Sequence, residues 1–178
     1  MTALFPSNCV DYDYDHIMEA ISVNNGDKSK AQERIFDIGK QTARLYKPGG
    51  AVPTKTLLPE LSGAMDRINS AYETVEARFG RSASMPTACE WLLDNRYTAV
   101  REERSAHSAL NTKTPLRSGE NGIVLYEACN DLVKCTGGAV DEAVCRTFLD
   151  GFQSVSVLPR RELTLFPAVL RAALLLRL

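Results

Sequence analysis

The stretch MPTACEWLLDNRYTAVREERSAHSAL, residues 85–110, decides how the rest of the chain is read. It holds the only tryptophan, Trp91, in a run whose spacing predicts one long helix. Pro86 suits a first helical turn, where its missing N–H costs nothing. Ser84 is placed to cap that turn, and Glu90 and Asp94 lie toward the positive end of the helix dipole. Trp91, Leu92, Asn95, Ala99, Ala106 and Leu110 recur at intervals that fit one inward face. A helix carrying the largest apolar side chain is the expected packing centre for the others.

Working outward, the same period recurs. Upstream, Leu58, Leu61, Met65, Ile68, Tyr72, Val75 and Phe79 step alternately by three and four, a heptad-like stripe ended by Gly80. Three heptads are short for an autonomous coiled coil, which favours packing inside a bundle. Before it, Ala31, Ile35, Ile38, Thr42 and Leu45 predict an amphipathic helix over 28–46, stopped by Lys47-Pro48-Gly49-Gly50. A short helix over 16–23 and a turn at Asn24-Asn25-Gly26-Asp27 precede that. Downstream, 114–122 reads as a loop through Pro115, Gly119 and Gly122. A helix from Ile123 to about Cys135 ends at Gly137-Gly138, and another opens behind Asp141 with Val144, Cys145, Phe148, Leu149 and Phe152 inward. The last segment carries Pro167, which is expected to kink or divide it. No strand-like alternation is visible. The expectation is an all-α fold, an irregular bundle of about six helices. Residues 1–54 form a weakly patterned N-terminal part with one clear helix, and 55–178 form the helical domain.

Composition narrows the function classes. The 178 residues carry 21 Lys and Arg against 22 Asp and Glu, with apolar residues at 44%, ordinary for a globular domain. No basic cluster is present to neutralise phosphates, which argues against a nucleic-acid partner. Five cysteines without a CxxC pair, and two histidines, do not match zinc spacing. The expectation is no metal and no cofactor. Cys129 and Cys145 fall on apolar helical faces, as reduced thiols of a cytoplasmic protein would. The N-terminus lacks the basic start and apolar core of a signal peptide.

Three constellations invite chemistry. Asp11-Tyr12-Asp13-Tyr14-Asp15 contains a D-x-D spacing, but His16 and Ser22 stand where a calcium loop needs Gly and Glu. No apolar strand precedes it as in nucleotide-sugar transferases, so a solvated acidic segment is favoured. Glu90 and Asp94 share a helix face beside Trp91, the elements of a carboxylate pair with a sugar-stacking ring. Acidic residues in a first turn need no such role. His107 reads as an exposed residue near a helix end. The most apolar run, Leu163 to Leu178, contains Pro167, Arg171 and Arg177 and is short of the ~20 residues of a membrane span. Leu163, Phe166, Leu170, Leu174 and Leu178 trace a stripe there, with Leu165, Val169, Leu175 and Leu176 widening it. The expectation is a face that another helix must cover, by self-association or by a partner.

Several of these residues together resemble the cyclic β-1,2-glucan synthase family. Pro86, Glu90-Trp91-Leu92-Leu93-Asp94-Asn95 and Tyr97 resemble its "EWLLDN-x-Y" signature. Pro115-Leu116, Tyr126, Leu132-Val133, Thr136, Gly138, Asp141-Glu142, Phe148-Leu149 and Gln153 follow in the family's order. Glu162-Leu163, Phe166-Pro167 and Leu170-Arg171 resemble its "GELW-x-x-P-x-x-LR" element over a likeness spanning about 55–178. Ile123 and Val124 replace its Pro-Arg, Pro159 its helix-capping Thr, and Thr164 its Trp. The resemblance implies a helical region N-terminal to a glycosyltransferase core that uses UDP-glucose, in large proteins associated with the inner membrane. The family's catalytic residues fall beyond Leu178, so the implied function is that of a truncated, non-catalytic accessory region. Its partners would be the remaining domains of a larger synthase-like polypeptide. A stand-alone interaction module using the Leu163–Leu178 face is the second expectation. A small carbohydrate-active enzyme using Glu90 and Asp94 is the third.

Overall fold

The computed structural model describes residues 25–80 and 85–177, with side chains from Ser29 onward. The helix over 16–23, the acidic segment at 11–15, the Ser84 cap and Leu178 lie outside the described residues. Seven α-helices are present among those described: α1 Asn25–Leu45, α2 Leu58–Phe79, α3 Thr87–Asp94, α4 Arg96–Leu110, α5 Val124–Thr136, α6 Glu142–Gln153 and α7 Arg160–Leu175. The all-α expectation holds, with one addition. Strands β1 Gly50–Pro53, β2 Pro115–Gly119 and β3 Gly122–Ile123 form a small antiparallel sheet in that order.

The sheet escaped the sequence because its strands are short and punctuated by Gly and Pro rather than alternating. Gly50 pairs with Ser118 and Val52 with Leu116, while Ser118 pairs with Ile123 around the two-residue turn Glu120-Asn121. Gly122, with φ +123°, closes that turn in a conformation that side chains avoid. Pro53 and Pro115 sit opposite each other at the end of the β1–β2 ladder, where lost N–H donors matter least. The sheet ties the segment after α1 to the start of α5.

The stretch 85–110 is two helices, not one. They meet at Asn95, whose backbone (φ −93°, ψ 2°) leaves the helical region. Its side-chain amide donates to the Trp91 carbonyl at 2.7 Å, the local competition that makes Asn a poor residue for a helix interior. The rotation across this joint keeps Ala99, Ala106 and Leu110 buried but turns Trp91 outward, 60% exposed. Trp91 is therefore not the packing centre. That place belongs to α5, which buries Leu125, Ala128, Cys129, Leu132, Val133 and Cys135 and touches α1, α7, β2 and β3. Gly137, at φ +59°, ends α5, with the Gly138 N–H returning to the Val133 carbonyl at 3.0 Å.

Elsewhere the stripes hold in their central turns, while Leu58, Val75 and Phe79 at the ends of the α2 stripe are half-buried. Leu61, Met65, Ile68 and Tyr72 of α2 are buried, and Phe148 and Phe152 of α6 are fully so. Leu45, expected inside, is 51% exposed at the end of α1. The Asp141 carboxylate caps α6 by accepting from Val144 N at 2.8 Å. Pro167 does not divide the last segment, since α7 runs through it. Pro167 and Leu163 both face solvent, so the carbonyl deprived of its helical partner is open to water.

Two packing features stand out. Helices α1 and α6 cross closely, with Phe36 against Gly151 and Gly39 against Phe148 and Phe152. Thr147 of α6 lies with Gln32, Glu33, Phe36 and Asp37 of α1. Both helices end at β2, through Gly49 N to Ser118 O at 2.8 Å and Arg117 Nη1 to Ser156 Oγ at 3.4 Å. Gly39 and Gly151 let the two backbones touch. Secondly, Glu162 at the start of α7 is fully buried and accepts from Arg117 N at 2.9 Å and from Arg117 Nε at 2.9 and 3.1 Å. Arg117 Nη2 lies 2.8 Å from Glu162 Oε2 as an ion pair, at an angle outside hydrogen-bond geometry. This pair pins α7 to β2.

Candidate functional site: an apolar groove between α2, α4 and α7

A groove of about 1040 Å³ lies among the described residues. Helix α2 contributes one face at helical spacing, Ala64, Ile68 and Ala71, with Arg67 beside them. Thr98, Ala99 and Glu102 come from α4, and Arg171, Leu174 and Leu175 from α7. The Gly137-Gly138 turn closes one end, and Trp91 and Leu92 of α3 stand at the lip. Small residues make the room. Ala64, Ala71, Ala99 and the two glycines leave unfilled what larger side chains would occupy.

Polar contacts organise the wall. Arg171 Nε donates to Glu102 Oε2 at 2.9 Å, and Arg101 donates to Oε1 at 2.9 and 3.1 Å. The Arg101 hydrogen bonds, and then those of Arg171, hold the Glu102 carboxyl below its usual range against the opposing effect of burial. The Arg96 guanidinium lies 5.4 Å from the Tyr72 ring centroid. Burial pushes the Tyr72 phenol up, and Arg96 partly offsets this.

The groove brings together residues that the sequence placed in separate proposals. Trp91 lines it, and so do Leu174, Leu175 and Leu176 from the terminal run. Glu90 and Asp94 are exposed and lie outside its lining. Of the terminal stripe, Phe166 is buried, Leu170 and Leu174 are half-buried, and Leu163 is 36% exposed. Val169, Ala172 and Ala173 are buried, since α7 packs against α4 and α5. Much of the apolar excess in this run is thus covered from within the chain. His107 is half-buried near the end of α4, away from the groove lining. The contributions of Arg67 and Arg177 went unread in the sequence, because an arginine on an amphipathic helix gives no sign of which neighbours it will face.

Because Trp91 is mostly exposed, Trp91→Ala should cost less than about 1 kcal/mol, the scale of surface substitutions, instead of the ~3–5 kcal/mol of a core tryptophan. Urea denaturation of the two proteins measures the difference, and a loss above ~3 kcal/mol would return Trp91 to the core.

A second polar cluster sits on the opposite face of α5. Burial first, and then Asp131 and Glu60, push the Glu127 carboxyl up to about 7, with Lys134 opposing. Asp131, hydrogen-bonded by Thr42 at 3.5 Å, is raised by burial in the same direction, and the neighbouring Tyr126 phenol is pushed up to about 12. In the unfolded chain Glu127 ionises near 4.5. Its contribution to stability is therefore fully present below that pH and is lost as pH rises through about 7. The melting temperature should fall between pH 5 and pH 8, and Glu127→Gln should flatten the slope. An unchanged slope in Glu127→Gln would assign the titration to other groups.

Among the described residues no group of three His, Cys, Asp or Glu side chains could hold a metal ion. Cys89, Cys129, Cys135 and Cys145 are free thiols, and burial pushes the Cys129 thiol well up, away from reactive thiolate. No described helix is long and apolar enough to cross a membrane. The chain matches no protein-family model, no curated protein and no solved structure.

Proposed function

We propose that this chain is a non-catalytic helical accessory region of a cyclic β-1,2-glucan synthase-like, carbohydrate-active protein, acting in the cytoplasm alongside the other domains of such a polypeptide. One observation carries the reading. Part of the resemblance falls on the packing frame: Leu116, Leu132, Val133, Phe148, Glu162 and Phe166 are all buried. Those buried positions suit a scaffold role, while the signature on α3 and the start of α4, with Trp91 and Tyr97 exposed, lies outside the core. The two carboxylates of its signature, Glu90 and Asp94, stand exposed on α3, without the enclosed site that glycosidic chemistry uses.

The test is a chimera. Residues 55–178 replacing the matching region of a working cyclic β-1,2-glucan synthase should retain glucan synthesis, where deletion of that region abolishes it. A chimera that accumulates normally but makes no glucan would sink the reading. The isolated chain should neither transfer glucose from UDP-glucose nor hydrolyse or phosphorolyse β-1,2-glucan. Turnover that disappears in a Glu90→Gln, Asp94→Asn variant would favour an enzyme instead. The half-buried Leu174 and Leu176 in the groove favour a second reading, an interaction module that uses the last turns of α7.

A further inference from the structure

The groove between α2, α4 and α7 joins an apolar floor to a cationic rim. Ala64, Ile68, Tyr72, Ala99, Val133 and Leu175 line it and are buried. Tyr72 alone among them carries a side-chain polar atom. Such a floor leaves the hydroxyls of a sugar or the edge of a base without partners, a costly arrangement for buried polar groups. It suits a run of methylenes instead.

The charges in the lining are of mostly one sign. Arg67, Arg171 and Arg177 stand against Glu102 alone, in a chain whose net charge is −1. The Glu102 carboxylate is already held by Arg101 and Arg171. Arg67 and Arg177 are exposed, and neither has an ion-pair partner among the described residues. The volume of about 1040 Å³ stands at the upper end of the ~300–1,000 Å³ of small-molecule sites. An apolar body with one anionic end matches both parts of this lining.

We propose that the groove binds a single-chain amphipathic anion, its aliphatic tail on the buried floor and its carboxylate or phosphate head drawn to Arg67 and Arg177. This site goes beyond the accessory role proposed above and does not depend on it.

Trp91, the only tryptophan, stands at the lip and is 60% exposed, so it reports occupancy in the full-length protein. Decanoate or decyl phosphate, kept below its micelle concentration, should shift Trp91 emission to the blue and reduce its acrylamide quenching. Calorimetry ranks the two, and the tighter one identifies the head group. Affinity should rise by up to roughly fourfold per methylene from hexanoate to decanoate as the floor fills. Arg67→Glu with Arg177→Glu should weaken decanoate at least ~10-fold and leave decanol unchanged. Ala71→Phe takes up room in the groove without altering charge and should weaken both. All three positions are exposed, and circular dichroism checks that each variant keeps its helix content. No response to either anion overturns the proposal. So does decanol or decyltrimethylammonium binding as tightly as decanoate, or decanoate binding that is unchanged in every variant. A doubled mass in light scattering, with Trp91 shielded in proportion, overturns it in favour of a second copy.

Discussion

Glu162→Ala is expected to cost about 3–5 kcal/mol, the range for removing one partner of a buried ion pair. Glu162 is fully buried and takes the Arg117 backbone N–H as well as its guanidinium. Alanine would strand the Arg117 side chain, only 17% exposed, with the 3.4 Å contact to Ser156 as its remaining hydrogen bond. It would also leave a backbone N–H of the central strand without an acceptor. Glu162→Gln keeps the shape and should lose less. Replacing both residues, Arg117→Met with Glu162→Leu, should recover much of the loss, because well-packed apolar pairs often equal or exceed buried ionic ones. Urea denaturation of all three variants decides it. A Glu162→Ala loss under about 1 kcal/mol would mean that the pair does not hold α7 to the sheet.

The second large effect is expected where α1 crosses α6. A Cβ on Gly39 would overlap the Phe148 carbonyl oxygen and stand 2.8 Å from Phe152 N. One on Gly151 would overlap the Phe36 carbonyl oxygen and stand 2.8 Å from its carbon. Backbone atoms cannot swing aside as a side chain can, so the helices must separate. Overpacking costs typically 1–3 kcal/mol, and Gly151→Val should reach about 3 kcal/mol or more. The same reasoning reverses the sign at Gly63 in α2, where an added Cβ meets only the mobile end of Arg67 at 3.8 Å. There Gly63→Ala should stabilise the fold by about 0.5–1 kcal/mol through helix propensity. Thermal melts of the two variants should move in opposite directions, and a stable Gly151→Val would rule out the close crossing.

The sequence was informative wherever a long helix buried one side. The stripe from Leu58 to Phe79, the Asp141 cap and the Gly137 stop each follow from local rules that tertiary contacts did not override. It misled at Asn95, where one side-chain amide bonded to the Trp91 carbonyl is enough to break a run that otherwise reads as continuous. That break reversed the expected role of Trp91. The sheet was invisible for another reason. β1 and β2 are separated by more than sixty residues, and neither carries a pattern until the other lies beside it. The groove was legible only in fragments. Trp91 and the terminal leucines drew notice separately, whereas its emptiness comes from alanines that any helix accommodates. A buried glutamate such as Glu162 also looks, in sequence, like an ordinary acidic residue in a first turn.

The pairing of α1 with α6 bears on how the protein emerges from the ribosome. Phe36 rests on Gly151, 115 positions later in the chain. At the ~5–20 residues per second of synthesis, α1 waits on the order of 10 s before its partner exists. Until α6 is made, the Gly39 face of α1 lacks its native partner, and β1 lacks β2 until residues 115–119 are made. The nascent polypeptide therefore cannot mature from its N-terminus inward. Its first helix is among the last elements to find its place.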